Sequence, residues 1–206
     1  MKKISANQLV NAMIEKGYKT FTAPYSMNII GVRSENSKSD QFDDELHVMF
    51  LNYSFTRKHF IFKCTTDPGK HWLMNPLNKN GTLITVPGQY RGVLKLGYHN
   101  RSKGNKKYKA LEQVKPMTYV RDNNKDGVLD FDLMNDPSNL IEGNFKTNIH
   151  RASRWKSVLN IGYYSAGCTV IQDPEDFNHL MMLCAKQEEE GLGDQFTYTL
   201  LNESDI

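Results

Sequence analysis

Between residues 27 and 165 the chain never sustains a helical period. Short β-prone runs stand there instead, at Met27–Val32, His47–Phe55, His59–Cys64, Gly81–Val86, Val93–Tyr98, Pro116–Arg121 and Asn144–His150. Turn chemistry separates them: Asp67-Pro68-Gly69, Asn78-Lys79-Asn80-Gly81, Pro87-Gly88 and Ser102-Lys103-Gly104-Asn105. Proline presets a turn's φ, while Gly, Asn and Asp tolerate the left-handed region, so these clusters end strands. Helical periodicity is confined to the two ends. Over residues 5–17, Ser5 and Gln8 make a capping-box pair, Leu9, Val10, Met13 and Ile14 share a face, and Gly17 stops the helix. A second helix begins after Asp173. Pro174 takes the first position, Glu175 and Asp176 complement the dipole, and Phe177, Leu180, Met181 and Cys184 recur on one stripe before Gly191. Phe196–Leu200 alternates as a closing strand. These features predict one α+β, β-rich domain over 1–206, with 1–26 a helical N-terminal extension and 27–206 a β-rich body. A chain of 206 residues buries enough surface to hold such a core without disulfides or metal.

Charge and cysteine usage narrow the function classes. Lys and Arg number 26 against 23 Asp and Glu, a net +3, too balanced for a dedicated nucleic-acid binder. No apolar run approaches the roughly 18 residues of a spanning helix, so no membrane segment is expected. The basic start Met1-Lys2-Lys3 has no apolar region behind it, so no secretory signal is visible and synthesis in a reducing cytosol is expected. The three cysteines, Cys64, Cys168 and Cys184, are odd in number and lack C-x-x-C spacing. No His-Glu-x-x-His or similar metal-ligand spacing appears among the six histidines. Neither cofactor nor metal is implied.

The densest chemistry lies in Asn148-Ile149-His150-Arg151-Ala152-Ser153 and Tyr164-Ser165-Ala166-Gly167-Cys168-Thr169-Val170. A nucleophilic cysteine needs a base, a small neighbour that lets the backbone approach a carbonyl, and amide donors for the oxyanion. Gly167 is the small neighbour. His150 ends an apolar run 18 positions upstream of Cys168, so a loop-and-strand return can bring the two together. Cys184 lies on a core stripe and Cys64 has no adjacent glycine, so neither competes.

His150, a gap, then Ser165-x-Gly167-Cys168 resembles the signature of L,D-transpeptidase catalytic domains (the YkuD-like group), closest to phage-encoded members. The resemblance implies a β-rich, sandwich-like fold and a cysteine that attacks the stem peptides of bacterial peptidoglycan. It implies Cys168 as nucleophile, His150 as base and acid, Gly167 and the Cys168 amide at the oxyanion pocket, and Ser165 as a positioning hydroxyl beside the histidine. Tyr164, Arg151 and His99 are substrate-side candidates; Arg151 fits either a carboxylate clamp or a solvent-facing residue. Two positions depart from the family pattern: His150-Arg151 replaces His-Gly, and Thr169-Val170 replaces the usual Arg or Asn after the cysteine. A thioester intermediate resolves either to water, as in a peptidase, or to an amine, as in a transpeptidase. The expected setting is a phage lysis or virion-associated enzyme that reaches the wall through a holin or within a virion. A wall-binding module that has lost turnover is the alternative from another class.

Weaker patterns carry two readings each. Asp122, Asn124, Asp126, Gly127 and Asp130 match the first nine positions of a calcium loop, but Leu133 stands where its glutamate belongs; an Asx-rich turn explains them equally. The basic run Tyr98–Lys109 fits an anionic polymer or a solvated loop. Asp43-Asp44-Glu45 with Asp67 invites a carboxylate pair for glycoside cleavage, although Asp67-Pro68-Gly69 is a turn first.

Overall fold

The computed structural model describes residues 3–100, 104 and 107–206. Two helices, α1 (Ala6–Glu15) and α3 (Pro174–Glu189), flank the strands as the periodicity predicts, and a third, α2 (Lys70–Met74), is a single turn and a half after Pro68-Gly69. The strands are β1 (Asn28–Arg33), β2 (Asp44–Leu51), β3 (Arg57–Thr65), β4 (Thr82–Thr85), β5 (Gly88–His99) and β6 (Tyr108–Gln113). Then follow β7 (Met117–Asp122), β8 (Ile141–Gly143), β9 (Ile149–Arg151), β10 (Thr169–Ile171) and β11 (Gln195–Asn202). The molecule is α+β and β-rich, as expected.

The main sheet is not one half of a sandwich. Among the described residues its strands close in the order β1-β11-β5-β6-β9-β10-β3-β2, and β4-β7-β8 form a small separate sheet. Closure comes from β1, which pairs antiparallel with β2 and parallel with β11, Ile29 opposite Tyr198. The last strand thereby covers an edge that would otherwise present unpaired backbone groups. Ile29, Leu46, Val48, Phe62, Leu111 and Ile171 share one core with Phe177, Leu180 and Cys184 of α3. Helix α1 packs against another face through Leu9, Ala12 and Met13 on Ile30, Val32 and Met49. Ile14, expected on that stripe, is 62% exposed and Ala12 takes its place. No helix among the described residues is long and apolar enough to cross a membrane.

Buried charge ties this frame to the chemistry. Arg33, at the end of β1, pairs with Asp67 at 2.9 Å, both inside the protein. Asp44 accepts the Thr66 N–H at 2.6 Å and the Ser34 N–H at 2.8 Å. Burial raises both carboxyls above the usual range, the neighbouring Asp67 adding to the effect at Asp44 and Arg33 opposing it at Asp67. These acids are therefore structural partners inside the core, not a solvent-facing pair set for glycoside cleavage.

Candidate active site

The residues after β3 anchor the turn that carries Cys168. The Arg33–Asp67 pair fixes the stretch 65–67, and two residues on the Gly69 N–H donates to the Ser165 carbonyl at 2.9 Å. Ser165 is fully buried; its Oγ donates to the Cys168 carbonyl at 2.8 Å and accepts the Gly167 N–H at 3.2 Å. Gly167 has φ +120°, and a Cβ there would lie 2.8 Å from the Leu83 carbonyl oxygen of β4. Only glycine fits both demands. Cys168 is thus delivered from a rigid turn at the start of β10, half-buried, with Sγ 3.8 Å from the Lys146 carbonyl.

Strand register places His150 on the neighbouring strand. β9 and β10 run parallel, Ile149 opposite Thr169 and His150 opposite Val170. Extending the register one step puts Cys168 level with Asn148, and strand alternation then places Cys168 and His150 on one face. Ideal strand spacings separate their Cβ atoms by roughly 8 Å. His150 is buried. Its Nδ1 is 2.8 Å from the Arg151 carbonyl and 3.1 Å from the Tyr108 hydroxyl. A carbonyl only accepts, so the proton sits on Nδ1 and Nε2 carries a bare lone pair. That Nε2 is buried and makes no hydrogen bond. The His99 ring stacks on His150 at 3.9 Å, and Asn148 Nδ2 reaches His99 Nδ1 at 3.3 Å.

Electrostatics make this pair neutral at rest. Burial, then the neighbouring His99, lowers the His150 imidazole to about 3, with the Arg151 carbonyl pulling the other way. Burial pushes the Cys168 thiol up to about 11, opposed by the Asn148 backbone hydrogen bond. An imidazole with a free Nε2 and a protonated thiol suit a base that acts during attack, not a standing thiolate–imidazolium pair.

Cys168 opens into a cleft of about 320 Å³ lined among others by Leu77, Leu83, Arg121, Phe145, Lys146 and Thr147. The run Asn144–His150, which supplies Phe145, Lys146 and Thr147 to the cleft, is strand only from Ile149 onward: Lys146 has φ +62° and breaks the ladder before β9. Gln113 holds that run through its Oε1, which accepts the Thr147 N–H at 2.9 Å. Asn148 Oδ1 in turn accepts the Gln113 N–H at 2.9 Å.

Several site expectations change. Ser165 organises the cysteine turn and makes no bond to His150. The Gly167 N–H is already taken by Ser165, so it is not an oxyanion donor. Arg151 points away: its guanidinium lies 4.1 Å over the Tyr108 ring, in a separate depression of about 450 Å³ with Leu96, Phe177 and Met181. Tyr164 is exposed beside the turn without lining the cleft. His99 is brought to the histidine. Arg121, Lys146 and Tyr108 were not anticipated as site residues; only Asn148 stood within the motif as read. In the calcium-like loop, Asn124 accepts the Asp126 N–H and Asp126 the Val128 N–H, the bonds of Asx turns, and Asp122 accepts the Asp130 N–H across the loop. Of the basic run, Arg101, Ser102, Lys103, Asn105 and Lys106 lie outside the described residues. Comparison of the chain with protein-family models, curated proteins and solved structures finds no match.

Proposed function

We propose that the protein is a cysteine-dependent acyl-transfer enzyme of the L,D-transpeptidase-like kind, acting on the stem peptides of bacterial peptidoglycan through a Cys168 thioester. The observation that carries the reading is the pairing of a rigid Ser165-Gly167 turn, which presents Cys168 to a cleft, with a buried His150 on the adjacent strand whose Nε2 is bare. As substrate enters, Nε2 takes the Sγ proton while sulfur bonds to the amide carbon. The C–N bond then breaks and the same proton passes to the departing amine. With the Gly167 amide engaged, the Cys168 amide is the turn's donor for the oxyanion. Cys168 is only half-buried, so water reaches the thioester, and hydrolysis by a phage lysis or virion-associated peptidase is the outcome we favour over cross-linking.

One observation favours a second reading, a wall-binding module without turnover: no hydrogen bond joins Cys168 Sγ to His150 Nε2. Mass spectrometry of muropeptides separates the two. Purified peptidoglycan incubated with wild-type protein is expected to yield shortened stems or separated cross-links that Cys168→Ala does not produce. Identical profiles from both proteins on several wall types support the binding module.

A further inference from the structure

The cleft beside Cys168 carries positive charge and no acid. Arg121 and Lys146 line it, and neither Asp nor Glu does. The two cations are not equivalent. Lys146 is well exposed and its ammonium meets Glu112 at 3.5 Å. Among the described residues Arg121 has no carboxylate partner: Nη1 donates to the neutral Gly81 carbonyl at 2.8 Å, and the guanidinium lies 5.3 Å over the Phe145 ring. Among those residues one of its five donors is used, and no carboxylate pairs with its charge. The backbone carbonyl and the ring hold it in place, so little side-chain entropy is lost when it binds.

Its place in the fold is equally specific. Arg121 of β7 pairs with Leu83 of β4, and the Leu83 carbonyl is the group against which Gly167 packs. Arg121 is therefore one strand away from the turn that presents the nucleophile. Leu77 and Phe145, both exposed, add apolar surface to the same cleft.

We infer that Arg121 is the specificity residue of this cleft and receives a substrate carboxylate near the scissile bond, selecting peptides with a free carboxyl over their amides. The inference rests on the function proposed above and names its substrate class. A guanidinium pairs bidentately with a carboxylate and offers no comparable geometry to a carboxamide. Charge-assisted hydrogen bonds of this kind are worth about tenfold or more in affinity.

Binding measured without turnover tests this separately from catalysis. The probes are a synthetic alanyl-γ-glutamyl-lysyl-alanine peptide and its fully amidated counterpart, titrated calorimetrically into Cys168→Ala protein. The acid form is expected to bind about tenfold tighter, and Arg121→Gln in the same background to erase that difference while leaving the amide's affinity unchanged. Arg121→Lys should keep part of it. Equal binding of the two peptides by the Cys168→Ala protein overturns the inference. So does an Arg121→Gln protein of unchanged thermal midpoint that retains the preference, or one that weakens both peptides alike. Turnover by wild type enters none of these outcomes, so a failure of the catalytic reading shows up only in the muropeptide profiles.

Discussion

Alkylation of Cys168 in the free protein should be slow and should rise tenfold per pH unit. Burial pushes its thiol up to about 11, so at pH 7.5 the thiolate fraction is roughly 3 in 10,000 by simple titration, against roughly one tenth for an ordinary cysteine with a pKa near 8.5. That is a deficit of about 300-fold. The more basic thiolate is intrinsically the better nucleophile, and a Brønsted coefficient of about 0.4–0.5 recovers roughly tenfold. Iodoacetamide should therefore modify Cys168 about 30-fold more slowly than free cysteine, yet ahead of Cys64 and Cys184, which are fully enclosed. Peptide mapping of iodoacetamide adducts against time, from pH 6 to 9.5, gives the rates. His150→Gln should leave the profile within about twofold, because His150 Nε2 makes no hydrogen bond in the resting site. A rate that plateaus below pH 8, or that exceeds free cysteine at neutral pH and falls in His150→Gln, would show a standing thiolate–imidazolium pair and refute the neutral-pair argument.

Three further outcomes follow from the packing. Gly167→Ala forces a side chain into a left-handed backbone against the Leu83 carbonyl; a cost of about 2 kcal/mol or more should lower the thermal midpoint by roughly 4–8 °C in calorimetry, and an unchanged midpoint would contradict the turn geometry. Asp67→Ala leaves Arg33 buried without its partner and should cost about 3–5 kcal/mol in urea unfolding. His150 is depressed to about 3 from an unfolded value near 6.5, so its contribution to stability is present above about pH 6.5 and lost as pH falls. Between pH 7.5 and 5.0 the wild type should lose roughly 2 kcal/mol more than His150→Gln, and parallel losses in the two proteins would place His150 in contact with water.

How much of this was legible in the sequence depends on how local the determinant is. Asp173-Pro174 and the stripe from Phe177 to Cys184 mark α3 correctly because capping and periodicity act within a few residues. The Ser165-x-Gly167-Cys168 spacing is likewise local, since one serine hydroxyl bridges the turn. Strand β6 escaped because Ala110-Leu111-Glu112-Gln113 are good helix formers that a sheet environment overrides. Closure of the barrel escaped because it pairs β1 with β11, at opposite ends of the chain. The two readings of Arg151 are separated by strand geometry and not by its adjacency to His150: the next residue on a strand faces the opposite side. Arg121 stayed hidden since its cleft is assembled from separate segments around residues 77–83, 121, 145–147 and 166–168, a juxtaposition that no short motif records.

The central claim is that Cys168 becomes covalently acylated by a stem peptide. Acid-quenched intact-protein mass spectrometry, after seconds of mixing with soluble muropeptides, reads that adduct directly. A mass increase equal to the acyl portion of the stem, mapped to Cys168 and absent in Cys168→Ala, is the predicted result, and His150→Gln should suppress its formation. Release of cleaved product with no adduct at any time and equal rates in Cys168→Ala would contradict the thioester account.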